Sequence, residues 1–433
     1  KQIFNTLGQI LTNTASDRYR NKRLQALKIL YDSCIHQNIT DIGILEMEQY
    51  ENICTDFRKS GNESLDNQLS IIGACRRIAF MQQEHIQWNA TVWYLDRFHL
   101  GENRIDKSKS LNSISFMEIK EKQNREILQA YMKYELGITG QAVSTINRRF
   151  MCIRNFLKML EQKRTLAVHA TAEDLSDYAK DLLEHHVQAK GFNERIYSIG
   201  HFYKFMEVRE YIPKMPFRIE YFQQKVLMVH HDRSVEEIVY MEVLRKLYLF
   251  PERLRCMFLH LWCLGLRASE VCTLKGNAYY QQGEDCWIQV YQVKMKNYKK
   301  IPIPKALYQL MKIYLKKNEI QPEEFIFQNT KGGACLYDTF RHQMLRACRE
   351  NGIANGEYIF RSHDYRHTVA TMFYDNEVSL QSIRDYLGHT YEEMTRQYID
   401  FMPKKIAQAN EEFFSTQENS LASWLRKGEQ DAK

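Results

Sequence analysis

Proline and glycine are scarce in this 433-residue chain, with seven and eighteen residues respectively. That scarcity argues against a turn-rich β protein and for long uninterrupted helices. The ten cysteines (34, 54, 75, 152, 256, 263, 272, 286, 335 and 348) include no Cys-x-x-Cys pair, so neither a disulfide framework nor a zinc site is indicated. Several sit in apolar helical contexts, as Cys263 does in His-Leu-Trp-Cys-Leu-Gly, and read as reduced core residues of a cytoplasmic protein. No apolar run approaches the ~18 residues of a membrane span, and no signal peptide opens the chain. It begins at Lys1 rather than Met, which leaves room for native residues before it. Acid is only slightly short of base, with 53 Asp and Glu against 60 Lys and Arg, giving a formal charge of +7. Such a charge suits a polyanionic partner without requiring one.

What is present is enough for real cores: 44% hydrophobic and 12% aromatic residues exclude a disordered chain. At roughly 150 residues per domain the length suggests about three domains. Residues 1–110 read as a helical N-terminal domain that binds DNA or a partner, with apolar spacing at Leu24, Leu27, Ile29 and Leu30 and again from Ile71 to Phe80. The polar stretch 101–110 reads as a linker. Residues 118–212 read as a compact helical unit, in which Val143, Ile146, Phe150, Ile153, Phe156, Leu157 and Leu160 recur at helical spacing. The polar face of that helix carries Arg148, Arg149, Arg154 and Lys158, either solvated or turned toward DNA.

Pro213 and Pro216 open an aperiodic segment, 213–233, that reads as a second linker. From Ser234 the helical period resumes, and Ser234 with Glu237 fits a capping box. Cys286–Val293 alternates like a strand, as does Lys300–Ile303, with Lys294 and Lys296 in a basic turn between them. Lys299 and Lys300 continue that basic run, a solvated loop or a DNA contact. Helical patterns follow at 305–317, 335–350, 365–374, 379–387 and 391–413, and a polar tail, 415–433, closes the chain. The expected fold class is mainly α with a small antiparallel β-sheet.

Residues 234–414 carry five polar side chains in a telling order. Arg267 sits in Leu-Gly-Leu-Arg-Ala-Ser-Glu, and His363 and Arg366 sit in Ser-His-Asp-Tyr-Arg-His-Thr. His389 closes Tyr-Leu-Gly-His, and Tyr398 follows nine residues later. Two guanidinium groups, two imidazoles and a phenol suit an attack on a phosphodiester without a metal. A phenol with a pKa near 10 needs a base or a strong positive field. Planar Arg forks match the non-bridging oxygens of the transition state, and a Lys or His can protonate the departing oxygen. Glu270 could hold the Arg267 guanidinium, and His363 and Arg366 share one helix face at i, i+3. Each group has an ordinary explanation alone: a surface ion pair, a chance spacing, a helix C-cap, one packed tyrosine among 26. Their joint order is what carries the chemistry.

On those stretches, residues 234–413 resemble the catalytic domain of the tyrosine recombinases, the phage integrases and their relatives. The family signature runs Arg, Lys, His-x-x-Arg, His or Trp, Tyr. Lys294 precedes Ile-Pro-Ile by the spacing associated with the family lysine, and Lys296 is the second choice. Tyr365 stands where the family commonly has Leu. Residues 118–212 resemble, more weakly, the helical core-binding domain that closes a C-shaped clamp around DNA. Residues 1–110 do not resemble the small β-rich arm-binding domain of phage integrases, which favours a transposon-type enzyme.

The resemblance implies that Tyr398 attacks the scissile phosphate to form a 3′-phosphotyrosyl bond. Arg267, Arg366 and His389 would stabilise the phosphorane-like state, His363 would assist proton transfer and Lys294 would protonate the leaving 5′ oxygen. It implies no metal and no cofactor. The implied partners are double-stranded DNA bearing specific recombination or transposon-end sites, a homo-tetramer on that DNA, and accessory recombination proteins; no membrane is implied. The tail 415–433 is either a dock on a neighbouring protomer or a frayed end. A type IB topoisomerase, a DNA-binding regulator without catalysis and a purely structural helical protein are the competing classes.

Overall fold

Helices account for most of the chain in the computed structural model, which describes residues 1–13, 16–59, 65–227 and 233–389 together with Thr395. The described residues form two compact units, one of residues 1–106 and 110–227, the other of residues 107–109 and those after 227. In the first unit, α1 (Gln2–Asn13), α2 (Asp17–His36), α3 (Met47–Lys59) and α4 (Leu65–Gln82) close around Ile10, Leu27, Leu30, Ile53, Phe57 and Ile72. A two-stranded ladder follows, β1 (Val92–Tyr94) against β2 (Ser113–Ser115). Then α5 (Lys122–Gly137), α6 (Val143–Gln162), α7 (Ala172–Glu184) and α8 (Ala189–Val208) enclose an aromatic core of Trp93, Phe116, Phe150, Phe156 and Tyr203.

Both stretches read as linkers carry tertiary contacts, and the boundary between the two units falls inside 213–233, after residue 227. The stretch 101–110 connects two paired strands, since Trp93 pairs with Ile114 and the Leu95 amide donates to the Asn112 carbonyl at 2.9 Å. The two cores of this unit are also stitched together. Helix α4 gives Ala79 to the first and Phe80 to the second. Arg125, almost wholly buried, donates twice to Glu46 at 2.6 and 2.7 Å. Much of the segment 213–233 is fastened to α8: Phe217 is buried, and Asn193 exchanges two hydrogen bonds with Gln224, both 2.8 Å. A few anchoring side chains hold such a loop without giving it a period, so pattern reading sees only a gap.

In the second unit, α9 (Glu237–Lys246) begins at Glu237 with Glu236 before it and no side-chain cap. The expected capping box is absent, because the preceding segment is tied to another helix instead. The Val235 amide donates to the Thr368 hydroxyl at 2.8 Å on α14 (Ser362–Asp375). At the centre lies α10 (Glu252–Leu264), whose Leu254, Met257, Phe258, Leu261 and Leu264 are all buried. It packs on α11 (Ala268–Cys272), on α13 (Tyr337–Glu350) and on α14. The sheet is a three-stranded meander, β3 (Tyr279–Gln282), β4 (Asp285–Gln292) and β5 (Asn297–Pro302), followed by α12 (Lys305–Lys317). Strand β3, Tyr-Tyr-Gln-Gln, lacks the alternation that would have announced it. Helix α15 (Leu380–Leu387) completes the described unit, and the expected helix 391–413 lies outside the described residues except for Thr395. None of the ten cysteines forms a disulfide, and nine of them are buried.

One buried group in this unit responds to acid. His260 on α10 sits between the Cys256 carbonyl at 2.6 Å and the Tyr279 hydroxyl at 2.5 Å, and burial pushes its imidazole down to about 4. An imidazole held neutral in the fold but protonated near 6.5 when unfolded takes up its proton preferentially in the unfolded state. Stability therefore falls as pH drops from 6.5 toward 4. Denaturant unfolding of the second unit should show a loss of stability between pH 7 and pH 5, and His260→Gln should remove roughly 2 kcal/mol of that loss. An unchanged pH slope in the variant would exclude His260 as its source.

Candidate active site

Two glycine turns frame the candidate site. Gly265 ends α10 at φ 57°, and Gly388 ends α15 at φ 70°. Both lie in the left-handed region that residues with a Cβ enter at a cost. At Gly388 a Cβ would also lie 2.5 Å from the Gln292 side-chain amide. The first turn delivers Arg267 to the start of α11, and the second delivers His389.

Arg366 reaches both turns from α14. It is fully buried, and its Nη1 donates to the Gly265 carbonyl at 2.7 Å while Nη2 donates to the Leu387 carbonyl at 2.6 Å. Carbonyls at helix C-termini have no partner within their own helix and carry partial negative charge, so a buried cation satisfies both needs. Nη2 also lies 2.9 Å from His389 Nε2.

Glu270 gathers the remaining charge. Its carboxylate accepts from the Arg267 amide and guanidinium, both at 2.9 Å, and from Gln292 Nε2 at 3.0 Å. Lys299 Nζ stands 3.8 Å away and donates to the Tyr386 carbonyl at 3.4 Å. Burial alone would raise the Glu270 carboxyl, but Lys299, Arg366 and Arg267 outweigh it and hold it down at about 2. The same burial, with Arg366 and Arg267 opposing the pull of Glu270, lowers Lys299 to about 8. Three cations thus surround one carboxylate, a net positive pocket suited to an anion.

Both imidazoles are neutral near pH 7. Burial first, then Arg366, Arg267 and Lys299, push His389 down to about 2. A guanidinium only donates, so His389 Nε2 accepts from Arg366 and the ring proton sits on Nδ1, 3.0 Å from Thr395 Oγ1. His363 opens α14, its ring 5.5 Å from that of His367. It is pushed down to about 4, with desolvation the larger cause and then His367, Arg366, Arg267 and Arg233. The residue is nevertheless exposed, so the neighbouring cations are the sounder cause.

Arg267, Glu270, Arg366 and His389 are therefore brought together, with His363 beside Arg366 on the same helix. Lys294 and Lys296 stand exposed on the turn between β4 and β5, outside the buried cluster. Lys299, expected as a DNA contact, is instead a buried member of the cluster. The register explains it: Val290 pairs with Lys299 and Ile288 with Ile301, so strand alternation turns Lys299 inward and Lys300 outward. Lys300 is exposed, its ammonium 5.8 Å from the Tyr280 ring centroid. Gln292 faces inward by the same alternation, and this signal was present in the sequence. Thr395 had no such signal.

Tyr398 lies outside the described residues. The basic face of α6 is internally paired: Arg148 with Glu194 at 2.7 Å, Arg149 with Glu135 at 3.0 Å, and Arg154 and Lys158 with Glu118. Tyr365 is buried, and its hydroxyl accepts from Tyr358 at 3.1 Å, so the phenol is accommodated in the core. No group of His, Cys, Asp or Glu that could hold a metal occurs among the described residues.

Residues 237–404 match the family model described as the phage integrase family. The chain is 25% identical over 339 residues to transposase B from transposon Tn554 of Staphylococcus aureus strain Mu50, a match covering 74% of this chain and 52% of that protein. It therefore spans about half the length of that relative. It is 22% identical over 245 residues to the tyrosine recombinase XerC of Bacillus subtilis strain 168, covering 53% of this chain and 76% of that one. The fold is similar to that of the XerH site-specific recombinase in a post-cleavage complex with palindromic difH substrate. The TM-score is 0.53 at 16% identity, with 67% of this chain and 83% of that chain covered.

Because Gly388 combines a left-handed φ with contact on Gln292, Gly388→Ala should cost about 1–2 kcal/mol from the backbone alone. Denaturant unfolding reads that loss, and an unchanged midpoint would show that the turn relaxes freely.

Proposed function

Since residues 237–404 match the phage integrase family, we propose that the chain is a site-specific DNA recombinase, the integrase or transposase of a mobile element. The observation that carries this reading is the set of three cations, Arg267, Arg366 and Lys299, gathered around the single carboxylate of Glu270. Such a pocket offers fixed donors to the charge that develops on a phosphoryl group in flight.

Tyr398 supplies the nucleophile. Its phenolic oxygen bonds to phosphorus, the bond from phosphorus to the 5′ oxygen breaks, and the product is a 3′-phosphotyrosyl ester with a 5′-hydroxyl end. His363, neutral near pH 7, takes the phenol proton. Lys294, on its exposed turn, gives a proton to the departing 5′ oxygen. Arg267 keeps 14% of its side chain exposed while Arg366 keeps none, so Arg267 presents the guanidinium edge to the phosphate and Arg366 supports it from behind. The ester conserves the phosphodiester energy, so rejoining requires no nucleotide.

Strand exchange pairs two cleaved duplexes, which calls for a homo-tetramer on DNA, and accessory recombination proteins act with it. The setting is the cytoplasm, where the element's DNA lies. No helix among the described residues is long and apolar enough to cross a membrane. The first unit, including residues 118–212, contributes DNA contacts. There Arg148, Arg149, Arg154 and Lys158 meet phosphates by exchanging their carboxylate partners, so each adds less affinity than the exposed Lys300.

The test is covalent trapping on nicked duplexes that carry the ends of the element encoding this chain. Wild type should give a shifted band on a denaturing gel, and Tyr398→Phe should bind the same DNA without one. No band from wild type on DNA that it binds would overturn the assignment and leave a non-catalytic DNA-binding protein. Relaxation of supercoiled plasmid without strand exchange would place it with the type IB topoisomerases. Arg267→Ala should lower the cleavage rate on the order of 10²–10³-fold while affecting DNA affinity far less. The lysines separate by leaving group. A 5′-bridging phosphorothiolate departs as a thiolate without needing a proton, so it should restore cleavage to Lys294→Ala but not to Lys299→Met. The reverse pattern would make Lys299 the proton donor.

A further inference from the structure

We propose that Thr395 is a positioning residue that lets the proton of His389 move from Nδ1 to Nε2 when a phosphate enters the site. The inference rests on the recombinase reading above and concerns how one of its groups is prepared for the chemistry.

Four observations carry it. Thr395 is fully buried and His389 nearly so, and Thr395 Oγ1 lies 3.0 Å from His389 Nδ1. On the other side of the ring, Nε2 lies 2.9 Å from Arg366 Nη2. Arg366 can only donate, so in this structure Nε2 must accept and Nδ1 must carry the proton. Burial and the surrounding cations keep the ring from taking a second proton. As it stands, then, His389 has no proton to offer on the Nε2 side, the side of Arg366 where an anion would be held.

A non-bridging phosphate oxygen needs a donor. For His389 to provide one from Nε2, its single proton must leave Nδ1, the bond from Arg366 Nη2 to Nε2 must break while Nη2 keeps the Leu387 carbonyl, and Nδ1 becomes a buried acceptor. A carbonyl in the position of Thr395 would lock the proton on Nδ1, and an apolar side chain would leave Nδ1 unpaired in either state. A hydroxyl serves both tautomers: it accepts from Nδ1–H when the site is empty, and by rotating about its C–O bond it donates to bare Nδ1 when the phosphate is bound. The ring holds one proton throughout, and only the position of that proton changes. Thr395 also lies three residues before Tyr398 in the sequence.

Two readouts on the full chain test this. Nitrogen-15 spectra of the His389 ring, assigned by their loss in His389→Gln, should show the proton on Nδ1 in the free protein. In the Tyr398→Phe background bound to the uncleaved end duplex, the proton should move to Nε2. Separately, single-turnover cleavage should fall roughly 10- to 100-fold in Thr395→Val, as expected of one unpaired buried polar group, with DNA affinity unchanged. Thr395→Ser should restore the rate to within a few-fold. A free protein with the proton on Nε2, a proton that stays on Nδ1 in the complex, or a serine variant as slow as valine would each overturn the proposal. The free-protein spectrum needs neither DNA nor cleavage, so its outcome is distinct from a failure of the recombinase assignment.

Discussion

Among the described residues, Glu270 is the carboxylate on which the cations of the candidate site converge, and the arrangement of that site depends on it. Lys299 is buried and Arg366 has no access to water, while Arg267 keeps only an edge exposed. Three unpaired positive charges held so close would repel one another and lose their hydration. One carboxylate, fixed by the Arg267 amide and by Gln292, offsets part of that cost and leaves a net positive charge for a ligand. Removing one partner of a buried ion pair generally costs about 3–5 kcal/mol, because the other is left uncompensated. The pocket is thus held together by the same imbalance that lets it receive an anion.

Arg366 links that charge to the backbone. Its guanidinium joins the C-terminal carbonyls of two helices, at Gly265 and Leu387, and touches His389 with the nitrogen that holds Leu387. Both helices end in left-handed glycines, and both turns deliver a residue of the candidate site one or two positions later. Helix termination and site assembly are therefore one event. The Leu-Gly-His turn is an ordinary helix C-cap, and it is also the mount for an imidazole.

Charge reads differently on the two units. The basic face of α6 looks like a nucleic-acid surface in the sequence, yet Glu118, Glu135 and Glu194 pair with all four of its cations. Glu194 lies on a different helix and 46 residues away from its partner, so no local reading could anticipate the pairing. At the β4–β5 turn the converse holds. Lys299 looks like one more solvated lysine in a basic run, and it is the member of that run buried against Glu270.

The sequence by itself determined the mainly helical class, helices at 305–317, 335–350 and 379–387 to within two residues of the observed ones, and the order Arg267, His363, Arg366, His389. Those features rest on local periodicity and on short motifs, which the chain carries whatever surrounds it. It also held, in strand alternation, the inward orientation of Gln292 and Lys299. Tertiary structure alone decided the rest. It made 101–110 a connection between paired strands, fastened part of 213–233 to α8, and replaced a capping box at Ser234 with a tie to Thr368. It chose Glu270 as the common partner of two cations and set the proton of His389 on Nδ1 by placing Arg366 on one side and Thr395 on the other. Each of these depends on partners distant in sequence or on which side of a ring a donor stands. Those are relations in space, and the order of residues does not contain them.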